Sequence, residues 1–237
     1  MKGIKIGILL TAIALVALFV LSRDVSPVRS FLTGALGKDS PKTAAEAPEI
    51  CMDASGNRYK TVRIGKQTWM AENLRNTRFA CADSVQVQFT NGIERGPGVP
   101  FFDGQPRAAF YNNDSVGSNG VIYNYSVVEH CTICPPGYRI PTKADWEVLI
   151  AQLGGGIEAG KSLLRGGSSG FNAGMCGRID NYGSVTKGRL GFWWCMDLDS
   201  NSNQKKAYDF MLTPLGVNRL LGQDVRVGNF VRCIKAE

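Results

Sequence analysis

Residues Trp193 to Asn203 read WWCMDLDSNSN, and their types and spacing suit two kinds of chemistry. Side-chain oxygens at Asp197, Asp199, Asn201 and Asn203 alternate along the chain, as in the first half of a calcium loop, where alternate ligands converge on one ion. Ser202 stands where such a loop turns on glycine, and Tyr208 where a bidentate glutamate closes the shell. Calcium is therefore one reading and a plain polar hairpin turn the other. Trp193 and Trp194 are neighbours on a predicted strand, so their rings point to opposite faces. One of them leaves the core unless the strand is covered on both sides. An outward indole beside Asp197 and Asn201 would stack on a sugar ring while the polar side chains bind its hydroxyls. The candidate ligand-binding set is Trp193, Trp194, Asp197, Asp199 and Asn201.

Seven cysteines stand at positions 51, 81, 131, 134, 176, 195 and 233, with a single histidine, His130. Cys131 and Cys134 make one CxxC. A structural zinc site wants four ligands in compact pairs, and no second pair exists, so no metal ligand is assigned. A redox CxxC opens a helix, whereas Pro135-Pro136-Gly137 after Cys134 makes a loop. A nucleophilic thiol needs a base within reach. His130 neighbours Cys131 in sequence only, and no catalytic residue is assigned. In an exported chain this cysteine usage reads as a disulfide framework with one thiol left over.

Two further stretches look like functional signatures. Gly155 to Ser162 (GGIEAGKS) fits the phosphate-loop pattern GxxxxGK[ST]. That chemistry requires a strand before the glycines and a helix after them, so that backbone amides point at phosphate. Here a capped helix precedes them, and too little chain follows to build a parallel sheet. The stretch reads as a connector between helices, and neither nucleotide nor any other cofactor is expected. Gly56 to Phe79 (GNRYKTVRIGKQTWMAENLRNTRF) gathers Trp69, Met70, Glu72, Asn73, Arg75 and Arg78. Glu72 has no matched acid or base nearby, so this stretch reads as architecture. Trp69 faces the core and Met70 the opposite side, while Glu72 and Asn73 tie amides in the exit turn. Arg75 and Arg78 fall three apart on one exposed turn.

The elements that must position these residues follow from pattern. Asn57 to Ile64 alternates as a strand, Gly65-Lys66 turns, and Gln67 to Met70 returns as a hairpin. Val85 to Thr90 and Val121 to Tyr125 are strand candidates around an irregular region from Asn91 to Gly120. Thr142 with Asp145 three residues on marks a helix start. Trp146, Leu149, Ile150 and Leu153 then form one apolar stripe, and Gly154-Gly155-Gly156 ends the helix. A second helix covers Ile157 to Leu164. Phe171 to Ala173, Arg189 to Met196, Ala207 to Thr213 and Asp224 to Ile234 read as strands, the last broken near Gly228. Hairpin first, helices central and strands last describe an α+β domain.

Ahead of it, Lys2 and Lys5 precede an uncharged apolar run from Ile6 to Leu21. No small-residue cleavage site follows closely, so an uncleaved membrane anchor over 1–22 is expected, with the remainder exported. Residues 23–49, with three prolines and little periodicity, read as a flexible tether. The domain then occupies 50–237. A net charge of +7 is spread without a basic block, which excludes a nucleic-acid arm and leaves a mild pull toward acidic surfaces.

Five ordered blocks are recognisable together: DASGNRYKTVRIGKQTWMAENLR, VIYNYSVV, CPPGYRIPTKADWEVL, LGGGIEAGKSL and FVRCIK. They resemble the Fibrobacter succinogenes major paralogous domain, an exported bacterial family, over about Cys51 to Lys235. RIPTKADWEVL and VRCI also resemble parts of C-type lectin-like domains and of formylglycine-generating, sulfatase-modifying enzymes. The resemblance implies a C-type-lectin-like α+β fold with two helices on short, irregular antiparallel sheets. It implies a Cys134–Cys233 disulfide, with Cys51–Cys81 and Cys176–Cys195 as weaker pairings that leave Cys131 odd. The enzymes carry a close cysteine pair before the terminal block, whereas Cys195 has no neighbour of that kind. The expected role is a non-catalytic binding or structural module at a bacterial envelope, on its extracytoplasmic side, recognising a glycan or a surface protein. The alternative is an enzyme of the formylglycine-generating group.

Overall fold

The computed structural model describes residues 49–82, 85–90, 104–110, 119–180 and 183–237. All of them fall in one compact unit, Ala45–Glu237. The expected anchor over 1–22, and the tether up to its last residue, lie outside the described residues. Among those described, no helix is long and apolar enough to cross a membrane.

The chain opens with strands β1 (Ile50–Met52), β2 (Arg58–Ile64), β3 (Gln67–Met70), β4 (Ala80–Cys81), β5 (Gln88–Thr90), β6 (Arg107–Phe110) and β7 (Val121–Asn124). The short helix α1 (Tyr125–His130), strands β8 (Cys131–Thr132) and β9 (Tyr138–Arg139), and helices α2 (Lys143–Gln152) and α3 (Gly156–Leu163) follow. The last part holds β10 (Arg178–Asp180), β11 (Gly183–Val185), β12 (Gly191–Leu198), β13 (Lys206–Thr213), β14 (Gly216–Asp224), β15 (Gly228–Phe230) and β16 (Ile234–Lys235). The result is a strand-rich α+β domain, as the order of sequence patterns implied.

Two sheets dominate. The smaller runs β1-β2-β3-β16-β9, so the final strand inserts beside the opening hairpin. The larger follows the path β14-β13-β12-β15-β7-β6-β5, with β10 paired to β15 and β11 to β10. Most pairings are antiparallel, with β12–β15 and β5–β6 parallel. The β2–β3 hairpin registers Thr61 on Met70 through Ile64 on Gln67, the arrangement its alternating sequence called for.

Helix α2 starts where Thr142 predicted it. The Thr142 side chain accepts from the Asp145 amide, and Asp145 accepts from the Thr142 amide, a complete capping box. Asp145 also takes a bidentate grip from Arg139, at 2.6 and 3.0 Å. Burial acts to raise the Asp145 carboxyl, but these hydrogen bonds outweigh it and hold the group below its ordinary range. The apolar stripe of α2 sends Trp146 into the core, where it stacks on Phe210 at 4.1 Å between centroids and leans on Trp69 at 4.7 Å.

Two elements depart from expectation. Tyr125 begins a helical turn and does not extend β7, because Tyr125, Val127 and Val128 bury themselves together there. Tertiary packing overrides their β preference. Phe171 to Ala173 makes a single parallel bridge, Leu164 to Ala173, and no strand of its own. Met70 does not face away from the core as alternation implies: it is buried as fully as Trp69. The Trp69 and Met70 side chains at the hairpin end serve two hydrophobic clusters, one on either side.

The glycines of GGIEAGKS have packing duties. Gly154 and Gly155 adopt φ of 89° and 88°, the left-handed region that lets the chain reverse from α2 into α3. A Cβ on Gly160 would sit 2.1 Å from the Cα of Gly216, so helix backbone lies directly against β14. With α2 before them and no strand, these residues lack the context of a phosphate loop.

Candidate functional site

A polar cleft of about 470 Å³ is built where the hairpin exit, the segment after α3 and the approach to β16 converge. Ala71, Glu72, Asn73 and Arg75 come from the hairpin exit, and Arg165, Asn172, Gly174 and Cys176 from the segment between α3 and β10. Lys60, Asn119 and Arg232 complete the lining. The segment after α3 holds its shape through Ala173 N–H to Leu163 O at 2.8 Å and Arg165 N–H to Ala173 O at 3.0 Å. Asn172 turns it with φ of 55°, a conformation asparagine tolerates. Just before that turn, the Phe171 carbonyl accepts from Arg232.

Arg232 is the organising side chain. It is 1% exposed, yet it belongs to the cleft lining. Its Nη2 and Nε donate to Asn73 Oδ1 at 2.8 and 3.3 Å, and Nη1 donates to Phe171 O. The guanidinium lies over the Phe171 ring at 4.3 Å and near Trp193 at 5.8 Å. Asn73 is fixed in turn: its Oδ1 accepts from Trp193 Nε1 at 2.8 Å, and its Nδ2 donates to Asn119 O at 2.9 Å. Every atom of this network is held by elements distant in sequence.

The electrostatics are lopsided. Burial pulls the Arg232 guanidinium down to about 9, with Cys176 and Glu72 opposing that pull and Arg165 adding a repulsive charge. Among the described residues no carboxylate pairs with Arg232. Glu72 is already engaged, by Arg75 Nη1 at 2.6 Å and by the Lys60 amide at 3.3 Å. The side chains of Lys60 and Arg165 make no hydrogen bond or ion pair with described residues. Four cations thus line the cleft against one carboxylate. Such an arrangement holds an anion through preset donors, since a buried charge without a counter-charge gains most from acquiring one.

A second concavity of about 480 Å³ lies beside His130, between Val128, Ile133, Arg139, Ile140 and Met196. Its rim charges are paired internally: Glu129 with Lys205 at 2.6 Å, and Arg139 with Asp145. It offers no comparable imbalance.

The residues singled out from sequence fall elsewhere. Trp193 and Trp194 do point to opposite faces, but both are 0% exposed. β12 is an interior strand of the large sheet, with Trp193 in one hydrophobic cluster and Trp194 in the other. Neither presents a face for stacking on a sugar. Asp197 Oδ2 accepts from the Lys143 amide at 2.6 Å, so it caps the start of α2, where a negative charge is favoured. Asp199 Oδ1 accepts from the Asn201 amide and from Tyr208 hydroxyl, both at 3.1 Å. The run from Asp197 to Asn201 is therefore tied into its own turn, and no cluster of metal-ligating side chains occurs among the described residues.

The disulfide between Cys134 and Cys233 is present as the resemblance implied. The weaker pairings are overturned: Cys81 joins Cys131, its direct partner across β4 and β8, while Cys51, Cys176 and Cys195 are not disulfide-bonded. Cys195 is fully buried, and burial pushes its thiol well up, which opposes thiolate formation. The exit of the opening hairpin, set aside above as architecture, supplies four lining residues of the cleft. The sequence signal that could have found them is the terminal VRC: an arginine one residue before a core cysteine on a buried stretch is a cation that must be met by something.

A family model described as the Fibrobacter succinogenes major domain matches residues 62–235. Comparison with curated proteins and with solved structures finds no match.

Proposed function

This chain belongs to the Fibrobacter succinogenes major domain family, and from that premise we propose that it is an exported, envelope-tethered, non-catalytic binding module that recognises a glycan. In this reading residues 1–22 anchor the chain in a membrane, residues 23–49 tether it, and the domain stands on the extracytoplasmic side in a C-type-lectin-like arrangement. The two disulfides fit an oxidising compartment of that kind.

The observation that carries the reading is the cleft around Arg232. Its size falls within the roughly 300–1,000 Å³ of small-ligand sites. Its lining sets side-chain amides of Asn119 and Asn172 beside guanidinium groups, the kinds of donor and acceptor that match sugar hydroxyls. Its Glu72 is paired with Arg75, which supports a binding role over acid–base chemistry. The test is an array of bacterial and plant-wall oligosaccharides probed with the full chain in detergent micelles. Retention of a sugar that is lost in Asn172→Ala/Arg165→Ala is the expected outcome. Retention of no glycan at all would move the role to assembly with surface proteins.

A further inference from the structure

We infer that the group recognised in this cleft is a carboxylate, carried by a uronic acid unit of an acidic polysaccharide. The inference rests on the glycan reading above and specifies its ligand.

Arg232 is set in advance for an anion. Its guanidinium is fixed by Asn73 and Phe171 and sandwiched against aromatic rings, so no ordering entropy is left to lose when an anion arrives. It sits in a low-dielectric surround, where a charge pair is worth more than in water. The excess of cations over carboxylate in the lining means that a neutral ligand would leave the imbalance in place. Arg165 is exposed and without a side-chain partner among described residues, and it lies close enough to Arg232 for the two charges to repel. An anion placed between them turns that repulsion into attraction on both sides. Lys60 adds a third unengaged charge at the mouth.

The donor geometry selects the anion. Arg232 spends its Nε–Nη2 edge on Asn73, so the parallel N–H bonds that match the two coplanar oxygens of a carboxylate come from Arg165. Asn119 and Asn172 beside them offer amides suited to neutral hydroxyls, as a sugar ring carries and a bare anion does not. The lining includes no large exposed apolar side chain to receive a lipid tail, and no aromatic ring on which a base would stack.

The test uses the full chain in detergent micelles and titration calorimetry with three probes, the trimers of galacturonic, glucuronic and mannuronic acid. Each is paired with its methyl ester, which keeps the ring and removes the charge. At least one acid should bind, its ester should bind tenfold or more weakly, and Arg165→Gln should weaken the acid to a similar degree without lowering the melting temperature. Lys66→Gln, in the hairpin turn outside the cleft, should change nothing. Raising the salt concentration should weaken the acid and leave the ester nearly unaffected. Equal binding of acid and ester overturns the carboxylate while the glycan reading stands. Binding of none of the acids, with neutral sugars retained on the array, does the same. A sulfated trisaccharide bound as well as the best uronate overturns the preference for a planar group. A peptide C-terminal carboxylate that binds while every sugar fails overturns both readings.

Discussion

Breaking the Cys134–Cys233 bridge is the sharpest test of how this fold is held. The residues stand 99 apart in sequence, and Cys233 is fully buried next to β16, whose neighbour β3 carries Trp69. In the chain-entropy account a closed loop of about 100 residues contributes ~4.7 kcal/mol at 25 °C. The Cys81–Cys131 bridge closes a loop half as long, with a separation of 50, and the same relation assigns it ~4.1 kcal/mol. Loop length alone thus separates the two by only ~0.6 kcal/mol. Burial enlarges the difference: Cys233 lies in the core at 0% exposure, whereas Cys81 is partly exposed on a two-stranded sheet. Truncating Cys233 therefore adds a packing loss on the order of 1 kcal/mol, about one buried methylene-sized group. Cys134→Ala/Cys233→Ala should lose roughly 5–6 kcal/mol and Cys81→Ala/Cys131→Ala roughly 4 kcal/mol. Urea unfolding of the full chain in micelles reads both through intrinsic fluorescence, because all four tryptophans are fully buried. A Cys134 pair variant that unfolds at the wild-type midpoint, or at a higher urea concentration than the Cys81 pair variant, would refute this reasoning. Thiol titration of denatured, unreduced protein should find three thiols, those of Cys51, Cys176 and Cys195.

Gly160→Ala should destabilise the domain by about 1–3 kcal/mol, since its Cβ would press 2.1 Å from Gly216 Cα and push α3 off β14; a shift in urea midpoint of that size checks it. Asp145→Asn should cost about 1–2 kcal/mol at neutral pH through the lost capping box. Because the folded-state carboxyl is held below the ordinary 3.8, the stability it contributes is present above that value and is lost as pH falls through the folded pKa. Acid titration of stability should therefore be shallower below pH 4 in the variant than in the parent chain.

Local pattern was enough for the elements that depend on near neighbours. The β2–β3 hairpin follows from alternation around Gly65-Lys66, and α2 from Thr142, Asp145 and a stripe led by Trp146. The same local grammar dismissed the phosphate-loop match, because a capped helix precedes the glycines. The Cys134–Cys233 bridge became legible through the resemblance of RIPTKADWEVL and VRCI to C-type lectin-like domains and formylglycine-generating enzymes. What depended on pairing between distant strands stayed hidden. Cys81 meets Cys131 only because β4 registers on β8, and no spacing along the chain announces that register. Trp193 and Trp194 are both covered because β12 ends up inside a sheet packed on two faces, a property of the sheet order and not of the strand. The cleft itself joins Asn73 to Arg232 across 159 residues. Sequence determined which side chains carry charge and where the opening hairpin and α2 form, because those are short-range consequences of residue type. Only the tertiary structure decided that Arg232 would be buried without a carboxylate beside Arg165, because burial and counter-charge are set by what long-range packing brings into contact.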